Sequence, residues 1–171
     1  MKKIAVFGKP GSGKSTLSKT LAESAGVPFY PLDSMVYNAD GSLVERAAFD
    51  AQHENILQSE AWLIDGLGPL ASFQQRLQAA DTLVYIDLPY WLSYWLVTKR
   101  LLKGLFITPE GWPPGSSIVK GSLQSYKMLR LSPRFWNSDF SQKLTALGDS
   151  KNLHVIRTLS ELNQFVAQIK L

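Results

Sequence analysis

Residues 4–16 read Ile4-Ala5-Val6-Phe7-Gly8-Lys9-Pro10-Gly11-Ser12-Gly13-Lys14-Ser15-Thr16, and their reading decides the fold. Ile4 to Phe7 is a short apolar run suited to a buried parallel strand. From Ser15 to Ala25, Leu17, Leu21 and Ala22 recur at helical spacing. Between the two runs, Gly8 to Ser15 has the spacing G-x-x-x-x-G-K-S. Strand, glycine loop, helix is the order that a phosphate-binding loop requires. The glycines let the backbone wrap closely around a polyphosphate, so that successive N–H groups and the helix N-terminus face negative charge. The expected nucleotide-binding set is Gly8, Lys9, Pro10, Gly11, Ser12, Gly13, Lys14, Ser15 and Thr16. Lys14 is expected on the β- and γ-phosphates and the Ser15 hydroxyl on Mg²⁺. The cofactors implied are ATP and Mg²⁺.

Further strands follow in series. Pro28-Phe29-Tyr30-Pro31-Leu32 reads as a second strand and leads at once into Asp33-Ser34. Ala61 to Gly66 reads as a third, ending at Asp65. Thr82 to Ile86 is a fourth, closed by Asp87-Leu88-Pro89, and Leu153 to Ile156 is the last. Ligands of open α/β sheets bind outside the carboxyl ends of the strands, which places Asp33 and Asp65 beside the loop. An apolar run closed by an aspartate is also the pattern of the second nucleotide-binding element, whose carboxylate lies near Mg²⁺. Ser15 and Asp65 are thus the expected metal ligands.

Helices are expected between the strands. Residues 38–42 read as a turn, and Ser42-Leu43-Val44-Glu45 has capping-box spacing, opening a helix to about Gln58. Shorter helical patterns cover Leu70–Gln78, Ile118–Leu131 and Ser138–Leu147. Tyr90 to Leu102 carries Trp91, Leu92, Trp95, Leu96 and Leu101, and the aromatics at helical spacing read mostly as core, with base-stacking the lesser alternative. Gly104 to Ser117 holds Pro109, Pro113 and Pro114 with three glycines, the composition of a mobile loop. Ser160-Glu161 opens a terminal helix. The expected architecture is a three-layer α/β/α domain with a five-stranded parallel sheet, of the P-loop kinase type, with 104–150 as a lid-like insertion.

The chain has 171 residues, enough for one domain with a proper core. Hydrophobic residues make up 45% and charged residues 19%, a globular profile. No apolar run approaches the roughly 18 residues of a membrane span. The apolar run after Met1-Lys2-Lys3 stops at Gly8, too short for a signal peptide, so a cytoplasmic protein is expected. With no cysteine, the sequence offers no disulfide, thiolate metal site or cysteine nucleophile. The net charge of +4 is concentrated in Lys99, Arg100, Lys103, Lys120, Lys127, Arg130 and Arg134, against Glu110 alone. Beside a phosphate loop, polyphosphate is the simpler partner for such a cluster, although nucleic acid also fits. Lys103 and Lys120 read as solvated helix positions.

At these residues the chain resembles the adenylate-kinase branch of P-loop kinases. Leu63-Ile64-Asp65-Gly66 is similar to the strand-Asp-Gly step of nucleoside monophosphate kinases, and Lys99-Arg100 lies where their lid begins. Leu32-Asp33, Trp62 to Gly66, Ala80-Asp81-Thr82 and Ile86 to Pro89 together resemble the small adenylate-kinase-related proteins labelled DNA topology modulation proteins. The resemblance covers most of residues 1–103 and the final strand and helix, and implies ATP binding and kinase activity. The sequence departs from monophosphate kinases after Asp65-Gly66. Leu67-Gly68-Pro69 stands where those enzymes have Phe-Pro-Arg, and the next arginine is Arg76. No arginine follows the second strand until Arg46. Asp33-Ser34-Met35-Val36-Tyr37 is instead similar to the Asp-Ser-Phe-Tyr step of uridine-kinase-like enzymes, where the aspartate activates a hydroxyl.

Phosphoryl transfer needs charge neutralisation, in-line positioning and exclusion of water. The expected catalytic residues are Lys14, Asp33, Arg100, Arg130 and Arg134. Arg100 is placed to close over the γ-phosphate; Arg130 and Arg134 read either as transition-state contacts or as solvated residues. A phosphate acceptor needs arginines, whereas a hydroxyl acceptor benefits from a carboxylate that takes its proton. Asp33 with no nearby arginine favours the hydroxyl, although a capping or metal-ordering role fits the same residue. His53 and His154 read as structural. The expected partner is a small-molecule phosphoryl acceptor, in a monomer or homodimer, with no membrane and no nucleic-acid signature. The alternative reading is an ATP-dependent regulatory or DNA-associated P-loop protein.

Overall fold

The computed structural model describes residues 1–38, 42–104 and 118–169. Five strands form one sheet: β1 (Lys3–Gly8), β2 (Phe29–Pro31), β3 (Trp62–Asp65), β4 (Thr82–Ile86) and β5 (Asn152–Ile156). All pairings are parallel, in the order β2-β3-β1-β4-β5. β1 therefore lies centrally, with Val6 opposite both Asp65 of β3 and Val84 of β4. Between β3 and β4 the chain crosses β1, so the sheet's winding reverses at the end of β1, where a ligand crevice is expected.

Side chains alternate across the sheet, as the strand repeat dictates. Ala5 and Phe7 of β1 face one layer and Ile4 and Val6 the other. The first layer holds α3 (Arg46–Gln58), α4 (Leu70–Ala79) and α7 (Ser138–Gly148), through Phe49, Ile56, Phe73, Leu77 and Leu144. The second holds α1 (Lys14–Ala25), the start of α5 (Tyr90–Gly104) and α8 (Leu159–Ile169), through Leu17, Leu21, Leu92, Leu162 and Phe165. Directly behind the end of β1, Phe7 packs edge-on to Phe73 at 5.2 Å and parallel to Tyr85 at 5.4 Å. Trp136 continues that stack on Tyr85 at 5.2 Å. This three-layer arrangement with five parallel strands is the expected one.

Three local expectations are corrected. The second strand stops at Pro31, and Leu32–Val36 forms a short helix, α2. The capping box is not made: α3 begins at Arg46, with Glu45 at its N-cap and no side-chain cap. Tyr37 bridges Leu43, and the Val44 N–H donates to the Val36 carbonyl at 2.9 Å, so Leu43 and Val44 pair with the end of α2 instead of opening the helix. Asn38 donates to the Ser42 hydroxyl at 2.9 Å.

The third correction concerns α5. Trp91 is 71% and Trp95 54% exposed, not core. Leu92 and Leu96 pack on the sheet, while Tyr94 stacks on Tyr126 of α6 (Ile118–Leu131). These two contacts use the sides of α5 that can be covered, and the tryptophans stand on the remaining one. The turn at 38–42 and the loop at 104–117 fall mostly outside the described residues. Among the described residues no helix is long and apolar enough to cross a membrane.

Candidate active site

The site is built at the carboxyl ends of β1, β3 and β2. β1 leads into the loop at Gly8, and Gly13, with φ of 80°, stands at the N-cap of α1. Gly11 has φ of 77°, a left-handed conformation that side chains resist. A Cβ there would meet Val97 Cγ2 at 2.7 Å and the Ser93 carbonyl oxygen at 3.0 Å. The loop is thus seated on α5, and only glycine fits the contact. Ser12 is buried beneath it, while Thr16 is exposed.

Lys14 opens α1 and donates to the Lys9 carbonyl at 2.8 Å. The charges acting on Lys14 are those of Asp65, Asp33 and Arg100. Burial pulls its pKa below the ordinary lysine value, against the pull of the two carboxylates. Asp65 ends β3 and is 5% exposed. The Ser15 hydroxyl and the Leu32 backbone N–H face its carboxylate as donors and favour its charged form. Burial raises the Asp65 pKa in spite of Lys14 and these donors, and Asp33 adds to the rise. Asp33 is exposed in the first turn of α2. It acts on Lys14, Asp65 and Arg100 alike, so the four groups form one electrostatic cluster.

Arg100 is half-buried on α5 and donates to the Ser125 hydroxyl of α6 at 2.7 Å. Beside it, Thr98 and the Tyr126 hydroxyl are 2.6 Å apart. The α6 helix therefore braces the side of α5 that carries Arg100. Arg130 and Arg134 are exposed and sit elsewhere, lining a cavity of about 230 Å³ with Lys127 and Leu131. The structure brings Lys14, Ser15, Asp33, Asp65 and Arg100 together, and among the described residues Arg130 and Arg134 make no hydrogen bond or ion pair with that group. Lys9 belongs to the loop by its backbone, but its side chain turns inward to Asp87.

The side of the site next to the β3–α4 turn is shaped by residues whose roles sequence reasoning missed. Arg76, on α4, is 1% exposed and points into the fold. It donates to the Gly66 carbonyl at 3.1 Å and to the Leu67 carbonyl, and its Nη1 lies 3.3 Å from His53 Nε2. A guanidinium can only donate, so His53 accepts at Nε2 and is neutral with its proton on Nδ1. His53 is structural, as expected, but its partner lies on another helix and no sequence spacing announces it. Leu32 fills the corner above these carbonyls. Its side chain lies 3.1 Å from where a Cβ on Gly66 would stand and 2.5 Å from one on Gly68.

No family model matches the chain, and no curated protein matches it in sequence. Solved structures do. A shikimate kinase from Bacteroides thetaiotaomicron matches over 98% of this chain and 95% of its own, with a TM-score of 0.53 and 15% identity. A shikimate kinase from Acinetobacter baumannii, solved in complex with shikimate, matches over 100% of this chain and 96% of its own, at 0.51 and 15%. The chain has the P-loop kinase fold. At such identity the likeness is one of architecture, and the chemistry rests on the site's own residues.

Those residues fit a magnesium nucleotide. The left-handed Gly11 and Gly13 shape a cradle at the start of α1, with Lys14 and the helix N-terminus as its positive charges. Ser15 and Asp65 pair a hydroxyl with a carboxylate, the hard oxygen ligands that Mg²⁺ takes beside substrate phosphates. Among the described residues no group of three or more His, Cys, Asp or Glu could hold a metal ion by itself.

Proposed function

We propose that this protein is a Mg²⁺-dependent phosphotransferase that moves the γ-phosphoryl of ATP to a hydroxyl of a small-molecule acceptor. One observation carries the choice of a hydroxyl. Asp33 is exposed within the cluster of Lys14, Asp65 and Arg100, whereas Arg76, the arginine nearest the β3–α4 turn, is buried and spends its donors on Gly66, Leu67 and His53. An anionic phosphate acceptor needs arginines on its side of the site, and a neutral hydroxyl needs a proton acceptor. Two solved structures that share this fold are named as kinases of a small molecule, which supports the general class.

The roles follow from charge and position. A magnesium ion held at this site would supply charge neutralisation for phosphoryl transfer. Ser15 and Asp65 would hold that ion, and the loop N–H groups with Lys14 bind the polyphosphate. Asp33 takes the proton of the acceptor hydroxyl as oxygen attacks phosphorus and the bond to the β-phosphate oxygen breaks. Arg100 stabilises the charge on the transferred group from α5. Residues 105–117, which would complete a lid, lie outside the described residues.

The resemblance to topology modulation proteins leaves a regulatory or DNA-associated P-loop role as the second reading, and no observation in the site favours it. The test is ATP turnover with Mg²⁺ across nucleosides, nucleoside monophosphates and sugar-like alcohols, with Asp33→Asn run alongside. Stimulation by a hydroxyl compound that is lost in Asp33→Asn is the expected result. Stimulation by a monophosphate with Asp33→Asn unchanged would overturn it, and no stimulation by any compound would favour the regulatory reading.

A further inference from the structure

Lys9 is the second residue of the phosphate loop, and phosphate binding by the loop makes no use of its side chain. A lysine in a glycine-rich surface loop is expected in water, yet Lys9 is 3% exposed. Its ammonium forms an ion pair with Asp87, at the end of β4, and donates to the Leu88 carbonyl at 2.9 Å. It also lies 4.7 Å from the ring centroid of Tyr90, the first residue of α5. The Tyr85 hydroxyl donates to the same Asp87 oxygen at 3.1 Å. An ammonium withdrawn from water this far persists only because its charge and hydrogen bonds are met. Removing Asp87 would leave the Lys9 ammonium buried without its ionic partner, whereas Asp87, 31% exposed and hydrogen-bonded by Tyr85, would keep access to water.

The same residue is tied on its main chain. The Lys9 carbonyl accepts the Lys14 ammonium at 2.8 Å. Two residues on, Gly11 rests against Ser93 and Val97 of α5. The loop is thus fastened along the first turns of α5, and Arg100 sits on the next turn of that helix. Lys14 and Arg100 are linked by one continuous set of contacts that begins at the Lys9–Asp87 pair.

We propose that Lys9 is a positioning residue, whose ion pair with Asp87 locks the phosphate loop to α5 and so sets the spacing between Lys14 and Arg100. The inference rests on the reading of Gly8–Ser15 as a nucleotide loop. Its side chain touches no phosphate; it acts through the shape of the loop and through the carbonyl that holds Lys14. A purely structural salt bridge would add stability and leave nucleotide binding alone.

The test compares the full-length protein with Lys9→Met, Asp87→Asn and the double variant. Amide hydrogen exchange of residues 9–15 is read without nucleotide, and Mg-ATP affinity is read by calorimetry. The expected result is loop exchange and ATP dissociation each raised about tenfold or more in Lys9→Met, with a smaller effect in Asp87→Asn. The double variant should be no worse than Lys9→Met, because the two residues act as one unit. Variants that melt earlier but keep wild-type loop exchange and ATP affinity would overturn the proposal, as would additive losses. If Lys9→Met does not fold, Asp87→Asn, which keeps the side-chain shape, decides between the same outcomes. Wild-type protein that binds no ATP would refute the nucleotide reading instead, while the exchange measurement would still report on the clamp.

Discussion

The hydroxyl of Ser15, at the start of α1, faces the carboxylate of Asp65, at the end of β3, and favours its charged form. The two strands that lead to them are neighbours in the sheet, with Val6 opposite Asp65. The pair joins the loop and the second acidic strand end into one oxygen-rich site. Ser15→Ala and Asp65→Asn are each expected to weaken Mg-dependent ATP binding by roughly 10- to 100-fold, the usual cost of disturbing a metal's supporting contacts. Calorimetric titration of ATP with and without Mg²⁺ checks this: the loss should be confined to the titration with metal. Equal losses in both would place the pair on the phosphates alone.

Gly11→Ala asks a side chain to adopt φ of 77° and to stand 2.7 Å from Val97 Cγ2. Both effects act at once, so a stability loss of about 1–3 kcal/mol is expected, with weaker ATP binding as the loop shifts off α5. Urea unfolding read beside nucleotide titration measures the two. A variant with wild-type stability would mean that the loop is not seated on α5 as described.

Arg76→Met should cost about 3 kcal/mol or more, because the Gly66 and Leu67 carbonyls and His53 Nε2 lose their donor in a buried setting. The methionine keeps much of the side-chain volume, so the loss reports polar contacts more than a cavity. Denaturant midpoints give the figure. A near-neutral result would show that these carbonyls find other donors.

His53 titrates at about 4, below its ordinary 6.5, chiefly because it is buried and secondly because Arg76 is charged beside it, with Asp50 opposing. Between these values the unfolded chain binds a proton that the folded chain refuses. The neutral ring's contribution is therefore complete above pH 6.5 and is lost as pH falls toward 4. Carboxyl groups titrate in the same range, so the comparison is with His53→Gln, whose stability should fall less steeply over this window. Parallel slopes for the two proteins would reject the assignment.

Much of the sheet is legible because β3 and β4 are continuous apolar runs closed by aspartates, and the loop motif names its own flanks. Lys14, Ser15, Asp33, Asp65 and Arg100 come together because each stands at a strand end or on the helix facing it, which chain order alone implies. What the sequence hid depends on partners that are distant in the chain. Capping-box spacing at Ser42 gave way to the Tyr37–Leu43 bridge. Helical periodicity marks which residues of α5 are apolar but not how many of its sides are covered, so Trp91 and Trp95 were misplaced. Asp87 follows β4 as plainly as Asp65 follows β3, yet only the fold shows that it binds Lys9.

Leu32 lies under both glycines of the β3–α4 turn, its N–H faces Asp65, and Asp33 follows it in the chain. One apolar side chain therefore fixes the spacing of both acidic groups of the site. In evolutionary terms the three positions 32, 66 and 68 are chained together. A larger residue at either glycine would be strained by its backbone, at φ of 109° and 59°, and would also press on Leu32, so that both carboxylates would be disturbed at once. Change at this corner one residue at a time therefore reaches both carboxylates of the site.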